Sequence, residues 1–211
     1  MNPVEAPRIA VLAVDDHALL REGIAAVIEG YPDLRYAGGA ASGAEGLEMF
    51  RTLQPDVTLL DIQLPDQTGI DVLGAIRRER PEARVIMLTT YRGDALASQA
   101  LKGGAVGYLL KSMLQTDLIG AIRTVHAGRK FVPPEIAVAL SARLGDEDLS
   151  PRELEILRSV AAGNSNKRIG ADLGISEQTV KGHLKNILAK LAAKDRTHAV
   201  TIAVQRGIIS L

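Results

Sequence analysis

The feature that most constrains the fold is an alternation, over residues 9–126, of short apolar runs with stretches of helical character. Five runs have the length of a β-strand: 9–14, 34–37, 57–60, 85–88 and 106–110. Most of them lack polar alternation, as is typical of strands that are covered on both faces of a sheet. Five helical stretches follow the strands: 18–29, 44–53, 70–80, 95–102 and 117–126. This order predicts an α/β doubly wound, five-stranded parallel sheet.

Local boundary signals support the helical stretches. Ser42 and Thr116 directly precede the second and the fifth, and serine and threonine are favoured at helix N-termini because their side chains accept from free backbone N–H groups. Pro81 follows the third stretch, and a helix interior would not tolerate proline. The predicted helices therefore have defined beginnings or ends.

The last part of the chain, residues 149–211, has helical signals alone. The segment 150–153 is a capping box with proline at the first helical position. A shorter helix begins at Ser165 and stops at Gly174, and two further helices are predicted over 177–191 and 197–206. Because the second and third helices are joined by a short turn, the region is predicted to be an all-α, four-helix helix-turn-helix domain.

Charge divides the chain at the same place. The whole sequence has 25 Lys and Arg and 25 Asp and Glu, yet residues 1–148 hold 15 basic and 20 acidic residues while 149–211 hold 10 and 5. An acidic front and a basic back predict two modules with different partners. With Pro133 and Pro134 inside the boundary, we expect a first domain over 1–129, a linker over 130–148 and a second domain over 149–211.

Composition excludes several classes of protein. The chain has no cysteine, which rules out disulfides, thiol catalysis and cysteine-bound zinc. Its N-terminus does not resemble a signal peptide, and no apolar run approaches the roughly 20 residues that a membrane helix needs. With four Tyr and two Phe, aromatic stacking on unpaired bases is disfavoured. We therefore expect a cytoplasmic protein with no membrane partner.

Polar side chains interrupt the first module at the ends of its strands. They are Asp15 and Asp16 after the first run, Asp61 after the third, Thr89 after the fourth and Lys111 after the fifth. Sites in open α/β sheets form at the carboxyl ends of the strands. Three carboxylates there favour a hard cation such as Mg²⁺, and a carboxylate can itself attack a phosphoryl group. The pattern predicts a Mg²⁺-dependent phospho-aspartate site, although an aspartate at a strand end is equally often a helix cap or turn residue.

The third helix of the second module carries a basic face. Lys181 and Lys185 lie one turn apart, away from an apolar stripe formed by residues 180, 184, 187, 188 and 191. Such a helix can enter the major groove of DNA, where lysines neutralise phosphates or reach guanine. The alternative is a lysine face that only contacts solvent, and the local excess of positive charge favours DNA.

The first module resembles the receiver domain of bacterial two-component response regulators in the segments 13–24, 56–71, 85–91 and 103–111. The resemblance covers about residues 8–128 and implies a flavodoxin-like fold in which Asp61 accepts a phosphoryl group from a sensor histidine kinase. It implies that Mg²⁺ is held by Asp15, Asp16, Asp61 and the main-chain carbonyl of Gln63. Thr89 and Lys111 would contact the phosphoryl group, and Tyr108 would change rotamer when Thr89 moves inward. A core role for Tyr108 is the alternative.

The second module resembles the four-helix DNA-binding domain of the NarL/FixJ (LuxR-type) regulators over about residues 149–211. The resemblance implies contacts with double-stranded DNA at Lys181, Gly182, Lys185, Thr179, Asn166 and Lys167. In this family the last helix often forms a dimer contact, which would involve Val200, Ala203 and Val204, and each of these could instead belong to the domain core.

Together the two resemblances imply a response regulator and transcription factor rather than a turnover enzyme. Phosphorylation of Asp61 would control formation of a homodimer and binding to paired promoter half-sites. Two alternatives are a DNA-binding regulator that does not depend on phosphorylation, with the receiver as a dimerisation scaffold, and a phospho-aspartate hydrolase. The short predicted loops disfavour a hydrolase because they offer no substrate pocket.

Overall fold

The computed structural model describes residues 8–90, 93–141 and 147–209. The chain divides into two compact units, residues 1–90 with 97–137 and residues 138–211 with 91–96. The first unit contains a five-stranded sheet, built from β1 (Ile9–Val14), β2 (Leu34–Ala40), β3 (Val57–Asp61), β4 (Val85–Thr89) and β5 (Gly107–Leu110). All neighbouring strands pair in parallel in the order β2-β1-β3-β4-β5. The predicted doubly wound parallel sheet is confirmed.

Helices cover both faces of this sheet. They are α1 (Ala18–Glu29), α2 (Gly43–Leu53), α3 (Gly69–Glu79) and α5 (Leu114–His126), while α4 (Asp94–Lys102) lies between β4 and β5 in the chain. On one face, Ile24 and Ile28 of α1 and Ile122 of α5 pack in one apolar cluster with Val11 and Leu59 of the strands. On the other face α2 and α3 contact each other and the sheet. Because neither face of the sheet is exposed to solvent at these strands, every residue of β3, β4 and β5 is buried.

Two predicted boundaries differ from the structure by three residues, and in both cases neighbouring structure decides. β2 runs past residue 37 to Ala40, through two glycines with low strand propensity, because residues 38–40 pair with Leu12, Ala13 and Val14 of β1. Thr116 does not cap α5, which begins at Leu114 directly after a 3₁₀ turn at Lys111–Met113. Its hydroxyl instead donates to the carbonyl of Met113. The Ser42 cap is confirmed, since its Oγ accepts from the Glu45 N–H.

Five further helices follow the sheet in the described part of the chain. They are α6 (Pro134–Ser141), α7 (Pro151–Ala161), α8 (Asn166–Leu173), α9 (Glu177–Lys190) and α10 (Arg196–Gln205). Ser150 and Glu153 form the predicted capping box at the start of α7. Gly174 ends α8 with φ 66°, a left-handed conformation that favours glycine, and so permits the tight turn into α9. Within the predicted linker, residues 142–146 lie outside the described residues.

The helices α7 to α10 share one apolar core. Its buried members are Ile156, Leu157, Val160, Ile169, Val180, Ile187, Leu191, Ala199, Ala203 and Ile209. Each helix contributes to it, so the four-helix helix-turn-helix architecture is confirmed. Among the described residues, no helix combines the length and the apolar character needed to cross a membrane.

Candidate functional site

Four of the polar side chains predicted at strand ends lie at one edge of the sheet. Asp15 follows β1, Asp61 and Thr89 end β3 and β4, and Lys111 follows β5. Because β1, β3, β4 and β5 are consecutive neighbours, their carboxyl ends meet at this edge. Asp15, Asp61 and Thr89 are buried, and 12% of the Lys111 side chain is exposed. Charged groups so little solvated need partners within the protein.

The Lys111 ammonium is the shared partner of two carboxylates. Its Nζ lies 2.7 Å from Asp15 Oδ2 and 2.7 Å from Asp61 Oδ2. Burial alone would lower the pKa of Lys111, but hydrogen bonds and attraction to both aspartates outweigh it and raise the pKa. For Asp61, burial raises the pKa more than Lys111 lowers it, and the neighbouring Asp15 raises it further. One cation thus faces two buried carboxylates, and this edge keeps an excess of negative charge.

Ligand atoms suited to a metal ion cluster at the same edge. One atom each from Asp15, Asp16, His17 and Asp61 lie within 4.8 Å of one another, so this acidic cluster could bind a metal ion. His17 was not predicted, although it directly follows the two aspartates in the sequence. Its Nδ1 lies 3.0 Å from Asp15 Oδ1 and 2.7 Å from Asp16 Oδ1.

Gln63 contacts the site through its main chain. Its backbone hydrogen-bonds the Asp61 carboxylate and tends to lower the pKa of that group. The Gln63 side chain is exposed. The assignment of its carbonyl as a metal ligand stays a prediction.

Tyr108 and Thr89 lie on the two neighbouring strands β5 and β4. Tyr108 is fully buried, and burial raises the pKa of its phenol to about 12, although the neighbouring Thr89 tends to lower this pKa. The phenol is therefore neutral at physiological pH, and its oxygen is buried without a hydrogen-bond partner among the described residues. The predicted rotamer change of Tyr108 stays a prediction.

In the second unit, α9 presents the predicted basic face. Val180 and Ile187 point into the core, while Lys181, Gly182 and Lys185 are exposed. Lys181 Nζ lies 2.9 Å from Glu177 Oε1, one turn earlier on the same surface. Such an exposed pair is weak, so Lys181 can exchange its partner for an external anion.

The remaining residues predicted to contact DNA differ in their surroundings. Thr179 is exposed and takes part in the α9 cap, because its backbone N–H donates to Ser176 Oγ at 3.0 Å. Lys167 in the first turn of α8 is exposed, whereas Asn166 is half-buried with its Oδ1 turned away from solvent.

The structure corrects one of the three dimer candidates on α10. Ala203 is completely buried in the core of its own unit, because it lies on the face of α10 that packs against α7 and α9. It therefore offers no surface to a second protomer. Val200 and Val204 are partly buried against the same core and keep some exposure.

Both units match protein families. Residues 11–123 match the response regulator receiver domain, and residues 147–203 match the bacterial regulatory proteins of the luxR family. The chain is a LuxR-type response regulator. Response regulators of this kind are transcription factors with a receiver and a DNA-binding domain, rather than enzymes.

Full-length relatives support this family. The response regulator is 35% identical to the transcriptional regulatory protein LnrK of Bacillus subtilis, over 95% of this chain and 98% of LnrK. It is 37% identical to LiaR of the same organism, over 96% of this chain and 100% of LiaR. Among solved structures, the chain is similar to RcsB from Salmonella enterica serovar Typhimurium bound to the promoter P1flhDC in the presence of phosphomimetic BeF3-. The two share 26% sequence identity with a TM-score of 0.73, over 94% of this chain and 98% of the RcsB chain.

Proposed function

We propose that this response regulator is switched by phosphoryl transfer from a sensor histidine kinase to Asp61, and that the phosphorylated form dimerises and binds promoter DNA. The observation that carries the proposal is the Asp61 carboxylate, which lies beside Asp15 and Lys111 at the edge of the sheet. The proposal is supported by a relative, RcsB, whose structure was determined on promoter DNA in the presence of a phosphomimetic.

Asp61 acts as the nucleophile in the transfer. One of its carboxylate oxygens bonds to the phosphorus of the kinase phosphohistidine as the phosphorus–nitrogen bond breaks, and the electron pair leaves with the imidazole nitrogen. Lys111 lies within hydrogen-bond distance of Asp61 and is placed to move to an oxygen of the incoming phosphoryl group. The products are an acyl phosphate on Asp61 and a free kinase histidine.

The carboxylates at this edge suit Mg²⁺, which prefers oxygen ligands and keeps several waters. Asp15, Asp16, Asp61 and the main-chain carbonyl of Gln63 would hold the ion. When bound, Mg²⁺ neutralises negative charge on the phosphoryl oxygens. The fit rests on the donor set, in which two buried carboxylates share one lysine and a third carboxylate is exposed beside them.

The signal leaves the site through Thr89 and Tyr108. A phosphoryl group on Asp61 attracts the Thr89 hydroxyl, which ends the strand next to the one that carries the buried Tyr108. Moving Thr89 toward Asp61 changes the space beside Tyr108 and biases Tyr108 toward another rotamer, which shifts the balance between inactive and active forms. The active dimer would bind paired half-sites in the cytoplasm through Lys181, Lys185, Gly182, Thr179, Asn166 and Lys167, with Val200 and Val204 of α10 in the dimer contact.

Replacing the acceptor tests the proposal. Asp61→Asn is expected to abolish incorporation of phosphate from labelled acetyl phosphate, because the amide is not a nucleophile, and to abolish the gain in promoter affinity that phosphorylation gives. Asp33→Asn is the matched control, since this carboxylate bonds to Arg123 rather than to the site. Retained labelling of Asp61→Asn would mean another acceptor. Equal promoter affinity with and without acetyl phosphate would favour the phosphorylation-independent regulator.

A further inference from the structure

The loop between β3 and α3 is attached at its tip to a different helix. Asp66 Oδ1 accepts a hydrogen bond from the Gly43 N–H at 2.8 Å, and Oδ2 accepts from the Ala44 N–H at 2.9 Å. These are the first two residues of α2, whose N–H groups have no partner within the helix. The two hydrogen bonds lower the pKa of Asp66, as expected for a carboxylate at the positive end of a helix. Asp66 is therefore ionised and bound through both oxygens at neutral pH.

The base of the same loop is closed next to Asp61. The Gly69 N–H donates to the Ile62 carbonyl at 2.8 Å, and Gln63 and Thr68 form an antiparallel bridge. Gly69 lies so close to the Asp61 carbonyl that a Cβ at this position would overlap it. The main chain at Gln63 is thus held on one side by the closed base and on the other by the Asp66 tip.

The helix that receives Asp66 is itself fixed to the sheet. Phe50 of α2 is buried, and Gly46 packs directly against the Val14 side chain of β1. Val14 immediately precedes Asp15. The tip of the loop that follows Asp61 is therefore anchored to an element that packs on the strand leading to Asp15.

We propose that Asp66 is a positioning residue for the phosphoryl site, which holds the main chain at Gln63 in register with Asp15. The inference rests on the proposed function, because Gln63 matters through its backbone bond to Asp61 and its carbonyl toward Mg²⁺. Asp66 touches neither phosphoryl group nor metal, and it acts through the loop. Groups that orient metal ligands typically change metal affinity about 10- to 100-fold when they are removed.

The experiment is a titration of the full chain with MgCl₂. The NMR chemical shift of the Gln63 amide at each concentration gives the Mg²⁺ dissociation constant. Asp66→Ala is expected to weaken Mg²⁺ binding about tenfold, while the rate of labelling by acetyl phosphate recovers at saturating Mg²⁺. Asp66→Asn keeps one acceptor oxygen and should fall between Asp66→Ala and the wild type. An unchanged Mg²⁺ dissociation constant in Asp66→Ala would overturn the proposal.

The variant Ser42→Ala distinguishes the effect of the Asp66 contact from the effect of a less stable α2. Ser42 Oγ accepts from the Glu45 N–H, so this variant removes a cap from the same helix without releasing Asp66. It should lower the free energy of unfolding and leave the Mg²⁺ dissociation constant unchanged. If it weakens Mg²⁺ as much as Asp66→Ala does, the helix rather than the loop is responsible and the proposal is wrong. A failure of the proposed function would appear separately, as retained labelling of Asp61→Asn.

Discussion

The two functional regions use the same residue pair, a lysine and a carboxylate, in opposite surroundings. At the sheet edge, 12% of the Lys111 side chain is exposed and it bonds to two buried aspartates, whereas 53% of the Lys181 side chain is exposed and it bonds to one exposed glutamate. Burial makes the first arrangement costly to break, and solvent makes the second easy to exchange. A site for phosphoryl chemistry needs fixed charges, and a surface for DNA phosphates needs charges that can change partner.

The largest expected difference between the regions is in stability. Lys111→Met leaves Asp15 and Asp61 as uncompensated buried carboxylates and should lower the free energy of unfolding of the first unit by about 3 kcal/mol. Lys181→Met, the matched control in α9, should change stability by less than about 0.5 kcal/mol. Far-UV circular dichroism during urea unfolding follows the helices of both units and so measures both variants. Equal effects of the two variants would contradict the comparison.

Two glycines of the second unit, Gly170 and Gly182, allow the same comparison between a closely packed and an exposed position. A Cβ at Gly170 would lie 2.7 Å from the Ile175 carbonyl oxygen, so Gly170→Ala must push the turn between α8 and α9 and should cost about 1–3 kcal/mol. Gly182 has nothing within 4 Å of an added Cβ, and Gly182→Ala should stabilise α9 by up to about 1 kcal/mol. Far-UV circular dichroism during urea unfolding measures both. A neutral Gly170→Ala would show that the turn has room to adjust.

The exchangeable lysine predicts a salt effect on DNA binding. Lys181→Ala removes one cation that can neutralise a phosphate, so the slope of log K against log salt concentration should become shallower by about 0.9. Fluorescence anisotropy with labelled promoter DNA at several salt concentrations measures the slope. Lys130→Ala, an exposed lysine outside the second unit, should leave it unchanged. An unaltered slope in Lys181→Ala would remove Lys181 from the DNA interface.

The smallest expected effect concerns an ion pair in the second unit between Glu153, which is buried, and Lys190, whose side chain is 21% exposed. Burial tends to raise the pKa of Glu153, but hydrogen bonds from the Ser150 backbone and Lys190 outweigh it and lower the pKa from its usual value. The folded-state pKa is thus below the unfolded one, so Glu153 stabilises the fold above about pH 4.5 and loses this contribution as the pH falls through its folded pKa. Glu153→Gln should be less stable than the wild type at pH 7, and the difference should shrink in acid. A difference independent of pH would exclude this linkage.

Local patterns predicted most of the secondary structure. Apolar runs and helical periodicity depend on neighbours in sequence, which is why β1 and α1 match their predicted bounds. The predicted end of β2 was wrong because its last residues pair with β1. The predicted beginning of α5 was wrong because a 3₁₀ turn at Lys111–Met113 leads directly into the helix. Ala203 could not be separated from a surface residue by periodicity, because only packing shows which face of α10 is covered.

By itself the sequence determined the two modules, the polar residues at the strand ends and the spacing of Lys181 and Lys185, because periodicity and charge are properties of consecutive residues. Only the tertiary structure decided that Lys111 lies between Asp15 and Asp61, 50 residues from the latter in sequence, and that Asp66 binds the N-terminus of α2. The physical reason is the strand order β2-β1-β3-β4-β5, which brings the carboxyl ends of distant strands to one edge and buries their charges together.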